Sequence, residues 1–297
     1  MKISIPELID EDQELLFSNL GEDPAPEYNP TTTYQAGDIV KVSTYHRLFQ
    51  AIVPVTGVHP LDGVEMEIPV WWDIGSTNRW AMFDGQAGTV TESDYVIVTI
   101  IRPDTPVDNV ALFGMEAEKV LCEVYTPGTD TPVYSETRNL VLEKFNPFDP
   151  EEYLGDLVFE NLPASQNMKI HLRITPVSGQ KARCALVVPG RVRDLGCTQY
   201  GMGLGILDHS RVDRDDFGRT FIVRRHFSKT VKATVSMKNT HVDRVHRTLS
   251  QHRATAIVWM FTEKFSASLV YGFFRDFDIV VENFDHSLCG IEVEGLV

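Results

Sequence analysis

From Tyr34 onward the chain is a succession of short apolar runs, and their two-residue alternation most restricts what it can fold into. "DIVKVS", "HRLFQAIV" and "DYVIVTII" are rich in β-branched and aromatic residues and are bounded by Gly, Pro, Asp and Thr. The pattern continues through "NVALFGM", "KVLCEVYT", "PVYSETRNLVL", "LVFENLP" and "MKIHLRITPV", with "TPGTDTP" and "PVSGQKA" as hairpin-tip signals. Side chains with a period of two belong to strands that bury one face. Many such runs, with no long helical stretches between them, predict an all-β sandwich or barrel. The last third repeats the style in "TFIVRRHF", "KATVSM", "AIVWMFT", "SLVYGFF", "FDIVVENF" and "CGIEVEGL". One segment departs from it. In "NTHVDRVHRTLSQHRA", Val242, Val245 and Leu249 share one side at helical spacing, which predicts a single helix inserted among strands.

A chain of 297 residues, 43% of them hydrophobic, can build two or three small cores. Residues 1–20 set Leu8, Leu15, Leu16, Phe17 and Leu20 among acids and read as a short helix or docking arm; "GEDPAPEYNP" then reads as a linker. Lys2 is the one basic residue at the start, so no secretory signal is expected, and no apolar run is long enough to span a membrane. The expectation is a soluble protein, made in a cytoplasm, without membrane insertion. A formal net charge of −15 argues against nucleic acid as a partner. The first 70 residues are strongly acidic, whereas the segment from Arg183 to Arg253 is locally basic. These parts attract each other either between subunits or across one monomer. Cys122, Cys184, Cys197 and Cys289 are scattered without a C-x-x-C pair, which predicts buried free thiols.

The usual catalytic signatures are missing: there is no G-x-S-x-G, no H-E-x-x-H and no P-loop. "GMGLGILD" misplaces its third glycine for dinucleotide binding and reads as a flexible turn. "DHSRVDRDDFGR" has Asp213 and Asp215 at calcium-ligand spacing, but Phe217 occupies a ligand position and no Glu closes the loop. It reads as a solvated turn in which Arg211, Arg214 and Arg219 pair the acids, with a site built from Asp208, Asp213 and Asp216 as the alternative. His241, His246 and His252 lack the spacing that would place two on one helical face. No enzyme, cofactor or metal is therefore expected. A polysaccharide-degrading reading would have to pair Asp208 with Asp213 or Asp215 across a groove.

Residues 34–72 contain Tyr34-x-x-Gly37-Asp38-x-Val40, then Phe49-x-Ala51, Pro60, and finally Trp71 and Trp72. This resembles the small chitin-binding type of carbohydrate-binding module, with the opening tryptophan missing and "LDGVEMEIP" lengthening the last loop. The run that follows, "DIGSTNRWAMFDGQAGT", looks like tail proteins of bacteriophages, in which a galactose-binding-like jelly roll comes next. "VDNVALFGMEAEKVLCEVYTPGTDTPVYSET" fits that sandwich, and "PGRVRDLGCTQYGMGLGILDHSRVDRDDFGRT" resembles the ending of such proteins. The resemblance implies an arm and linker (1–30), a small β-module (31–88), a jelly-roll-like β-sandwich (89–190) and a second β-rich domain (191–297).

The same resemblance implies a structural part of a phage virion tail (baseplate, tail tip or fibre attachment), homo-oligomeric and in contact with other tail proteins. Its aromatic run has two readings. Trp71 and Trp72 are adjacent, so a strand points them to opposite faces. Either the run bolts the small module to the sandwich, or Trp72 and Trp80 stack a host cell-surface glycan. In the second case Asn78, Arg79, Asp84 and Trp71 complete a carbohydrate site.

Overall fold

The computed structural model describes residues 1–9, 13–86, 88–142, 144, 146, 148, 152–214 and 216–296. Alternation becomes strand almost wherever it occurs, and the fold is all-β. The large sheet runs, in antiparallel order, Leu157–Glu160, Asn109–Phe113, Leu186–Asp194, Lys2–Pro6, Ile257–Met260, Leu269–Val281, His286–Gly295 and Phe227–Lys238. The last strand also pairs with Cys197–Thr198 and Gly203–Asp208. A second sheet has the order Tyr134–Asn139, Lys119–Tyr125, Lys169–Thr175, Ile97–Ile101, Leu15–Ser18.

These two sheets form a sandwich because each contributes the inward half of its alternation. Val120, Cys122 and Val124 from one meet Val110, Leu112, Phe159 and Val187 from the other in a buried core. "TPGTDTP" is the tip of the hairpin joining Lys119–Tyr125 to Tyr134–Asn139. "PVSGQKA" is instead a crossover, carrying the chain to Ala182–Cys184, which pairs with Thr91–Ser93. The predicted helix spans Val242–Gln251 and buries Val245 and Leu249 against Val231, Trp259 and Val293.

The large sheet is curled rather than open. Four strand spacings separate Asn109–Phe113 from Leu269–Val281, roughly 19 Å if the sheet were flat. Yet the rings of Phe113 and Tyr271 lie 5.9 Å apart, within a core shared with Ala111, Leu186, Val258 and Leu269. A largely buried ion pair between Lys229 and Asp156 further ties Phe227–Lys238 to the loop beside Leu157–Glu160, the opposite end of the strand order. Asp156 also accepts the Gly114 N–H at 3.1 Å.

The described residues 1–9 and 13–20 supply strands rather than a helix. Lys2–Pro6 is an interior strand of the large sheet, paired on one side with Leu186–Asp194 and on the other with Ile257–Met260. Ile3 is buried in the C-terminal, helix-covered core, whereas Ile9 and Leu15 are buried in the sandwich core. Of the apolar residues read as a helix or arm, Leu15, Leu16 and Phe17 lie on the strand Leu15–Ser18 of the second sheet, while Lys2–Pro6 before them enters the large sheet, a distinction local spacing does not record. Gly190 is required at this seam: a Cβ there would lie 2.7 Å from the Ile5 carbonyl oxygen and 2.2 Å from Ser4 Oγ. Two smaller expectations also change. Gly203 and Gly205 belong to a strand rather than a turn, and Cys197 is exposed while the other three cysteines are buried.

Ile3→Ala is expected to cost roughly 2–4 kcal/mol in chemical denaturation, and Leu8→Ala, at an exposed site, less than about 0.5 kcal/mol; a dispensable arm would show no such contrast. Burial pushes the thiols of Cys122 and Cys184 up to about 12 and that of Cys289 up to about 11. Native protein treated with a thiol reagent near neutral pH should react rapidly at Cys197 alone, and denatured protein at all four cysteines.

Candidate functional site

The small module is a three-stranded sheet, Ile39–Val42, Arg47–Ala51 and Trp71–Ser76, beside the pair Thr33–Tyr34 and Val55–Thr56. Its turn is set by Gly37, whose φ of 98° favours glycine, and by Asp38, whose Oδ2 accepts the Gln35 N–H at 2.7 Å. So few residues enclose little volume, and a tryptophan supplies much of the core. Trp71 is 1% exposed, donates its indole N–H to the Val58 carbonyl at 3.0 Å, and has its ring 5.3 Å from that of Tyr34.

Trp72 points the other way, as strand parity requires, and is 63% exposed. Register places Ile39, Gln50 and Trp72 in one row across the three strands. Ile74 follows at a bulge, where the register with Arg47–Ala51 shifts, and lines a polar cleft of about 520 Å³ between the module and the sandwich. Asp23, Ser76, Thr89, Glu92, Asp94 and Lys181 contribute to its walls. The Glu92 carboxylate is held below the usual range, first by its hydrogen bond from Lys181 at 2.5 Å and further by Arg183 at 3.1 Å. Trp72 itself does not line this cleft; its exposed indole offers an apolar face on which a sugar ring can stack, while the cleft separately offers hydroxyls and charges.

The remaining predicted residues are committed to the joint. Asn78 receives the Glu92 N–H on Oδ1 at 2.8 Å and donates Nδ2 to the Glu92 carbonyl at 3.0 Å. Its own N–H goes to Asp23 at 2.6 Å, and its carbonyl accepts from the Thr91 hydroxyl at 2.8 Å. That hydroxyl in turn accepts the Met82 N–H at 2.9 Å. Trp80, Met82 and Phe83 are buried in the sandwich core, with the His46 ring stacked 4.3 Å from the indole of Trp80. Asp84 accepts from the Gln86 N–H and the Thr89 hydroxyl; burial raises its carboxyl above the ordinary aspartate range. Arg79 Nε is buried without a hydrogen-bond partner among the described residues.

Thus Trp72 alone of the six predicted side chains presents a large apolar surface to solvent. The cleft beside it was not legible. Asp23, Glu92 and Lys181 come from three distant segments, and the Lys181–Glu92 contact spans 89 residues. Asp208 and Asp213, the carboxylates considered for catalysis, lie on an exposed ribbon, where Asp208 accepts the Ser210 N–H and Asp213 pairs with Arg211 at 2.8 Å. Asp215 lies outside the described residues. Among the described residues, no three His, Cys, Asp or Glu side chains are grouped to hold a metal ion, and no helix is long and apolar enough to cross a membrane.

A scan against protein-family models finds no match, and a search of curated proteins finds no similar sequence.

Truncating the two buried indoles should separate them from the exposed one. Trp71→Ala and Trp80→Ala are each expected to lose about 3–5 kcal/mol of stability, and Trp72→Ala less than about 1 kcal/mol. Thermal or urea unfolding of the three variants checks this.

Proposed function

We propose that the chain is a structural component of a bacteriophage tail, at the baseplate, tail tip or fibre-attachment region, acting through binding surfaces rather than by catalysis. The observation that carries this reading is the joint. Residues 77–92 lock a small β-module onto a large sandwich through Asn78, Thr91 and the buried Trp80–Phe83 segment. A part that transmits load or presents a surface in a particle needs its modules held in a fixed relation, and a hydrogen-bonded, aromatic-filled joint provides that. The sequence resemblance to phage tail proteins points the same way. Other tail proteins and further copies of the chain are the partners this reading requires.

A second reading is supported by Trp72: host-glycan binding on its exposed indole, with the adjacent cleft supplying polar contacts. The two readings are compatible if the glycan site belongs to a tail part. In a repeated assembly, a weak sugar contact gains avidity.

Immunogold electron microscopy of purified phage particles, using antibody against this chain, tests the first reading. Label at the distal end of the tail is expected. Failure to find the protein even in denatured virions would refute the assignment. For the second reading, Trp72→Ala should leave the protein folded but reduce its retention on host-cell envelopes by roughly tenfold or more, the scale of a lost stacking contact.

A further inference from the structure

Residues 203–229 leave the body as a β-ribbon. Gly203–Asp208 pairs with the start of Phe227–Lys238, and Arg211–Arg214 pairs with Thr220–Val223 beyond it. Among the described residues, this distal half is a two-stranded sheet with no further strand paired to it. Register puts Val212 opposite Ile222 on one face, while Phe221 and Val223 occupy the other. All four are exposed, Ile222 at 70%. A two-stranded hairpin is marginal alone in water, and apolar side chains on both its faces are an aggregation hazard unless something covers them.

The charge indicates what covers it. Residues 203–229 carry five exposed arginines (Arg211, Arg214, Arg219, Arg224 and Arg225) against four aspartates, Lys229 being held by Asp156, in a chain whose net charge is −15. Residues 22–85, which contain the small module, carry nine acids against three Lys and Arg. The outer face of that module presents Ile39 and Trp72, and the loop leading to Trp71 adds the exposed Glu65, Met66, Glu67 and Ile68. One surface is apolar and basic, the other apolar and acidic, and both belong to every copy.

We propose that the 203–229 ribbon is an assembly arm that docks on the Ile39–Trp72 face of a second copy of this chain. The inference deepens the tail-assembly reading and rests on it for its biological setting. The contact joins unlike surfaces, so repeating it closes a ring or extends a filament, while two copies can also exchange arms reciprocally. It places Trp72 at the centre of a protein interface, where a large aromatic side chain is most effective as an anchor.

The test is sedimentation velocity on the purified full chain over a concentration series at low and high salt. Self-association that weakens as salt rises is expected, because charge complementarity contributes to the contact. Ile222→Asp in the arm and Trp72→Ala in the face should each weaken association by roughly 30-fold or more, the loss of one anchor residue. Both positions are exposed, so circular dichroism and unfolding should remain close to wild type. Mixing the two variants should restore a complex, since one intact arm then meets one intact face. A wild-type chain that stays monomeric throughout would overturn the proposal, as would association insensitive to Trp72→Ala, or a mixture no more associated than its components. Loss in each variant with recovery on mixing would sustain it even if denatured virions proved to lack the protein, a result that would sink the tail assignment alone.

Discussion

The large sheet depends on its seam. Lys2–Pro6 hydrogen-bonds on one side to a strand of the sandwich and on the other to a strand of the C-terminal region. Without it, Leu186–Asp194 and Ile257–Met260 would each expose an unpaired row of backbone donors and acceptors where the sheet is continuous. Ile3 then buries its side chain among residues more than 190 positions away, including Trp259 and Val293. This is a long-range pairing with a large loop-closure cost, offset by two hydrogen-bonded edges and apolar burial. The curl that brings Phe113 to Tyr271 uses the same continuity: a sheet interrupted at its fourth strand would not transmit its twist from one end to the other.

The joint between module and sandwich is a second, smaller dependency. Asn78 satisfies both faces of its amide on the backbone of Glu92, so it can neither rotate nor offer that amide to a ligand without breaking two internal bonds. Trp80, Met82 and Phe83 then behave as core residues of the sandwich although they follow directly from the module's last strand. Rigidity at the joint and exposure at Trp72 are linked outcomes of one short run. Strand parity sends Trp71 inward and Trp72 outward, and the next turn delivers Trp80 to a different core.

What remains at the surface is chemically uneven. Arg211 and Asp213 partly neutralise each other at 2.8 Å on the ribbon, while Arg47 and Asp73 do so at 2.7 Å on the module. The exposed Arg211–Asp213 pair contributes little stability and leaves the apolar side chains beside it unburied, whereas the Arg47–Asp73 pair is half-buried. The exposed aromatic and β-branched residues therefore define the surfaces where association has most to gain: the outer module face with its neighbouring cleft, and both sides of the ribbon. The cleft adds hydroxyls and a Glu92–Lys181 pair at 2.5 Å.

The sequence by itself determined the all-β class, the helix at Val242–Gln251 and the division of Trp71 from Trp72, because each follows from a local period. It also carried the Gly37–Asp38 turn, whose chemistry is contained within a few residues. Tertiary structure alone decided that residues 2–6 are an interior strand, since their acidic, leucine-containing surroundings are equally compatible with a helix until the edges of Leu186–Asp194 and Ile257–Met260 are in place. It likewise decided the cleft, whose walls come from residues as far apart as Asp23 and Lys181. Period is a property of neighbours along the chain, whereas a seam, a curl and a cleft are properties of residues that only folding makes neighbours.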